Sequence, residues 1–230
     1  MQTEGKASIN VGSYAADIED PLLRKAIELN AFEEARHKSV LAHMVAFYDI
    51  HLQPEPAYKS PRDREWAFMK TGFSECIDSF FAFGLFALAK RSGFFPPPLV
   101  GTFEPVIQEE CRHILFFANW VVWHRRNLPL WRRPVLAARV LAIWIVLIWE
   151  RIRTAKDVGG TADDSNFTLT GTQAVGVDIG PRDMLDLCLT ENDRRMAVLD
   201  PRLKRPGVMP TLIRLVRPFL RSRTAPTAGA

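Results

Sequence analysis

The chain has 230 residues, of which 47% are apolar and 24% charged, with a net charge of +4 at neutral pH. That balance suits one globular domain with a sizeable core, somewhat long for a bare four-helix bundle. The three cysteines, Cys76, Cys111 and Cys188, form no Cys-x-x-Cys pair, which argues against a disulfide framework and against a zinc ribbon.

Taken in chain order, residues 1–20 read as a flexible lead-in. Residues 1–14 are polar, with no charged-then-apolar pattern, so no secretion signal is expected. Asp20 and Pro21 then mark a helix start, and apolar positions spaced by three and four, as in Leu41, Met44, Val45 and Tyr48, carry a helix to about residue 52. Three prolines make residues 53–62 a loop. A second helix is expected over 62–91 and a third over 101–126, joined by the rigid Pro96-Pro97-Pro98 run.

Residues 135–154 form a fourth helix, apolar nearly all round. Its run 134–149 is short of a bilayer span and is interrupted by Arg139, so a buried helix is the first expectation. The alternative is a helix lying at a membrane surface, with Trp131, Trp144 and Trp149 among flanking arginines. Residues 158–180 read as a long Gly/Thr/Asp-rich loop, with 175–179 the one weak strand candidate. A fifth helix follows over 181–199, then a basic amphipathic segment, 207–223, kinked at Pro218, and a disordered tail, 224–230. The domain reading is therefore a single helical domain over 21–223.

One short pattern occurs twice. Residues 33–37 read Glu-Glu-Ala-Arg-His and residues 109–113 read Glu-Glu-Cys-Arg-His. Each holds Glu-x-x-His, as Glu34/His37 and Glu110/His113. Residues three apart on a helix share a side, so a carboxylate and an imidazole can converge on one ion. Between the two motifs stands Glu75, with small neighbours Gly72 and Ser79 a turn away. Several acids buried in a Phe-rich core need cations to balance them. Taken singly, either motif is better read as exposed helix charge beside a core histidine. Two in near-identical context, with an intervening Glu, weigh the other way.

On these residues the stretch 21–126 resembles the ferritin-like di-iron carboxylate superfamily, which takes one Glu from each of two helices and Glu-x-x-His from each of two others. The resemblance implies an all-α fold, a ferritin-like four-helix bundle with additional C-terminal helices. It also implies two iron ions, or a Mn/Fe pair, held by Glu34, His37, Glu75, Glu110 and His113. The family's order begins with a helix supplying a lone Glu roughly 30 residues before the first Glu-x-x-His. Here that region reads as non-helical, with only Glu4 near it. Glu191 on the fifth helix is the expected sixth ligand, as a cyclic shift of the order; Glu19 or Glu28 is the alternative. Asp78 and Asp186 are candidates to orient the imidazoles, and Arg36 and Arg112 to neutralise Glu33 and Glu109.

The expected activity is a cytoplasmic di-iron oxidoreductase that activates O2 to oxidise or hydroxylate an apolar small molecule, with an electron donor not identified by the sequence. Phe80, Phe81, Phe83, Phe116 and Phe117 are read as core first and as pocket lining second. Three alternatives stand beside it: a ferritin-like hydroxylase acting on RNA, whose phosphates the arginine excess would help to bind but which is not the favoured reading; an iron-oxidising or peroxide-scavenging protein; and a non-catalytic helical protein. Two partner readings stay open beside the small-molecule substrate and O2: a second copy as a homodimer, and a membrane surface met through 134–155 and 211–223.

Overall fold

The computed structural model describes residues 2–52, 54–159 and 179–220. These residues are all-α: seven α-helices, two short 3-10 turns and, among the described residues, no strand. The helices are α1 (Gln2–Ala15), α2 (Pro21–Phe47), α3 (Arg64–Ser92), α4 (Pro97–Asn127), α5 (Arg133–Gly159), α6 (Pro181–Ala197) and α7 (Val208–Val216). The expected strand at 175–179, the loop 158–180 and the tail 224–230 fall almost wholly outside the described residues. Two compact units share the chain. One runs up to Phe73 and includes Ala137–Ile143; the other comprises Ser74–Leu136 and the chain from Trp144 on. All three boundaries fall within continuous helices, one in α3 and two in α5.

In the first unit the residues expected to be a flexible lead-in carry α1. Its apolar side chains Ala7, Val11, Tyr14 and Ala15 repeat at three and four residues and are buried. The repeat is short and diluted by Gly, Ser and Asn, which weakens it as a sequence signal. Packing decides the matter: α1 lies along α2, where the Ser8 hydroxyl donates to the Ala31 carbonyl at 2.8 Å. Gly5 is needed for the approach, because a Cβ there would stand 2.9 Å from the Tyr58 ring and 3.1 Å from Lys38 Nζ. The Tyr14 ring stacks on Phe68 with centroids 4.6 Å apart, and Asn10 donates to Thr71 at 3.0 Å.

The start of α2 follows the sequence signal. Asp20 Oδ1 accepts from Leu23 N at 2.8 Å, and Pro21 occupies the first turn, where its missing N–H costs nothing. Asp63 caps α3 in the same way, accepting from Trp66 N at 2.9 Å. It also receives Arg139, whose Nη2 donates to both carboxylate oxygens at 2.8 and 2.9 Å and whose guanidinium lies 5.6 Å from the Trp66 ring centroid. These contacts hold the Asp63 carboxyl below its ordinary range, the Arg139 hydrogen bond being the main cause.

In the second unit, Pro97 and Pro98 begin α4 instead of acting as a connector, since proline fits a first turn. At Gly84, α3 touches α6: a Cβ there would lie 2.4 Å from Cys188 Sγ. Around this contact, Phe80, Ala87 and Leu88 pack with Met184, Leu187, Cys188 and Leu189. Phe83 packs with Cys111, Ile114, Leu115 and Met196. The phenylalanines Phe80, Phe83 and Phe117 are therefore core. The Arg195 side chain is buried in this unit. It donates to Glu104 Oε1 at 2.9 Å, with the Phe83 and Phe86 ring centroids each 5.6 Å from its guanidinium. As expected, the C-terminal basic segment is a strongly amphipathic helix, α7, continued by a 3-10 turn at Pro218.

Helix α5 departs from the first expectation. Leu136, Ile143 and Leu147 are buried, but its opposite apolar face is not. Among the described residues one helix, α3, is long and apolar enough to cross a membrane, and half of its most apolar window is buried in the fold.

Candidate metal centre

The two Glu-x-x-His motifs sit on α2 and α4. On α2 the three-residue spacing places Glu34 and His37 on the buried side, each only 2% exposed, and Glu33 is buried beside them. On α4, His113 is 2% exposed while Glu110 keeps a partial opening to solvent. His113 Nδ1 lies 3.9 Å from Glu110 Oε2, too far for a hydrogen bond and close enough for both to address one ion. Glu75, on α3, is half-buried.

Two groups of ligand-type side chains come together. Glu34, Glu75 and His113 have donor atoms within 4.8 Å of one another, and so do Glu34, His37 and Glu110. Glu34 belongs to both groups. An ion with bonds of about 2 Å holds its ligand atoms within about 4 Å of each other, so small rotations would close either group. The donor set is three carboxylates and two imidazoles, which suits iron or manganese and lacks the thiolates of a structural zinc site. The cysteines stand apart from this chemistry. Burial pushes the Cys111 thiol up to about 11 and the Cys188 thiol to about 12. Burial also raises Cys76, to which the neighbouring Glu75 carboxylate adds. All three stay protonated and inert near neutrality.

The other expected ligands hold arginines or face solvent. Glu191 is 5% exposed, but its carboxylate is clamped by arginines: Arg194 Nη2 at 2.7 Å and Nε at 2.8 Å, and Arg91 Nη2 at 3.6 Å. Glu19 and Glu28 are exposed. None of the three belongs to the clustered groups. Asp78 is exposed and holds Arg151 at 2.7 Å, and Asp186 receives Arg217 Nε at 2.6 Å. Arg112 does lie by Glu109, at 3.7 Å. His43 and His51 are exposed, and His124 stacks on Trp120 with centroids 4.7 Å apart.

Sequence reasoning missed α1. It is a helix, it packs on α2, and it carries half-buried Glu4 in its first turn, next to Gly5 at the Lys38 end of the contact. The signal was there in the spacing of Ala7, Val11 and Tyr14. Comparison with protein-family models, with curated proteins and with solved structures finds no match.

Proposed function

We propose that this chain is a ferritin-like di-iron oxidoreductase that uses O2 to oxidise an organic substrate, with Mn/Fe as the other metal pair its ligands accept. The observation that carries the reading is the gathering of Glu34, Glu75 and His113, and of Glu34, His37 and Glu110, from two near-identical sequence motifs and the Glu between them. Buried acids brought this close repel one another unless protons or cations intervene.

In this reading Glu34, Glu75 and Glu110 provide carboxylate oxygens, and His37 and His113 provide one imidazole each. Bound iron supplies electron exchange with O2, which no side chain here can do alone. The protein's part is to present the acids and imidazoles from helices, which keeps their spacing stiff, and to keep His37 and His113 away from bulk water. A carboxylate spent on metal charge is not a general base. Glu191, the sixth ligand expected from the sequence, is held by Arg91 and Arg194.

Iron content per chain tests this directly. About two irons per chain are expected after growth with iron. The count should fall sharply in Glu110→Ala and hold in Glu191→Ala. A parent that binds no iron or manganese under any loading condition would remove the proposal. With the metal count in hand, O2 uptake in the presence of a reductant tests turnover.

A further inference from the structure

Helix α5 carries two apolar faces. Leu136, Ile143 and Leu147 face the protein. On the other side Trp131, Val135, Leu141, Ile145, Ile148, Trp149 and Ile152 are each half-exposed or more. With exposed Ala138 between Val135 and Leu141 they form one stripe, about 25 Å long over the helix at 1.5 Å per residue, which Trp131 extends from the preceding 3-10 turn. No charged side chain breaks it between Val135 and Trp149. Arg139, the one charged residue between Val135 and Trp149, is held on Asp63 and Trp66. Scattered exposed apolar residues need no explanation, but a continuous stripe of large ones marks a contact surface.

The charge around the stripe selects the occupant. Exposed Arg125, Arg126 and Arg132 cluster around its start, and exposed Arg153 stands at its end beside Arg151, which is paired with Asp78. Trp131 and Trp149 mark the two ends, each with an arginine over its ring: Arg132 at 4.8 Å and Arg153 at 5.6 Å from the centroid. Tryptophan and arginine together are the side chains that settle at the headgroup level of a bilayer. A second copy docked through the same stripe would bring arginine-rich ends together in either orientation, where like charges repel. A surface of anionic headgroups meets those ends with opposite charge and accepts the apolar stripe between them. The helix cannot span, because its other face is committed to the protein core.

We propose that the outward face of α5 lies in the surface of an anionic lipid bilayer, seating the protein as a peripheral membrane protein. This inference does not rest on the metal reading. The test is flotation of the full-length protein with phosphatidylcholine vesicles, with and without about one quarter phosphatidylglycerol. Binding to the anionic vesicles is expected, with a blue shift of tryptophan emission. It should weaken about tenfold in the Ile145→Asp/Ile148→Asp double variant, and fall as salt is raised. Both positions are exposed, so the fold should persist, with circular dichroism as the check. Val198→Asp, at an equally exposed apolar position at the end of α6, should bind as the parent does. Absence of binding to anionic vesicles would overturn the proposal, as would equal binding by the double variant. So would a parent dimer that the double variant converts to monomer, which would assign the stripe to a second copy.

Discussion

Glu34 and Glu191 are both nearly inaccessible carboxylates on helices, and the chain treats them differently. Glu191 is matched from within by Arg194 at 2.7 Å and Arg91 at 3.6 Å, both reaching in from solvent. Glu34 lies among further acids, Glu75 and Glu110, and two imidazoles. Burial alone therefore does not nominate a metal ligand. What separates the two is their company: Glu191 is held by two arginines, while Glu34 shares two groups of ligand-type side chains with further acids and imidazoles.

The largest effect that would break this contrast is on metal content. Glu34→Ala should lose nearly all bound iron, because Glu34 belongs to both groups, whereas Glu191→Ala should keep the parent's count. Equal loss in both, read by elemental analysis, would erase the distinction. Next comes the buried Arg195. Glu104→Ala strips it of its carboxylate and should cost about 3 kcal/mol in denaturant unfolding, since the guanidinium stays buried between Phe83 and Phe86. Glu191→Ala should cost less, about 1 kcal/mol, as Arg91 and Arg194 return to water. Gly84→Ala should fall between these, at about 2 kcal/mol, from the overlap of its new methyl with Cys188.

The smallest effect is one of pH. Burial pushes Glu104 up, but Arg195 and Lys90 outweigh it and hold the carboxyl below its ordinary 4.5. A carboxyl depressed on folding stabilises fully above its unfolded value, and that contribution is lost as pH falls through the folded one. The stability gap between the parent and Glu104→Gln should therefore be constant above about pH 5 and close below pH 4.5. A gap that widens on acidification would mean that the ion pair is not the source.

Much of the helical order was legible from local signals. Asp20-Pro21 and Asp63 mark helix starts because capping involves only near neighbours in sequence. The twin Glu-x-x-His motifs were legible for the same reason, since three-residue spacing places both groups on one side of any helix. Helix α1 escaped because its apolar repeat is short, and its stability comes from packing on α2 with Gly5 allowing the approach. The buried side of α6 on which Glu191 stands is readable from spacing, while Arg91, a hundred residues earlier in the chain, is not readable as its neighbour. The exposed side of α5 escaped likewise, since a helix apolar all round does not say which face the protein will cover.

By itself the sequence determined the later helices, the capped starts of α2 and α3 and the shared side of each Glu-x-x-His pair, because these depend on contacts within a few residues. The tertiary structure alone decided which buried acids meet arginine and which meet other acids. It also decided which face of α5 is left to the surroundings. Charge balance and burial are set by neighbours through space, and no spacing along the chain records them.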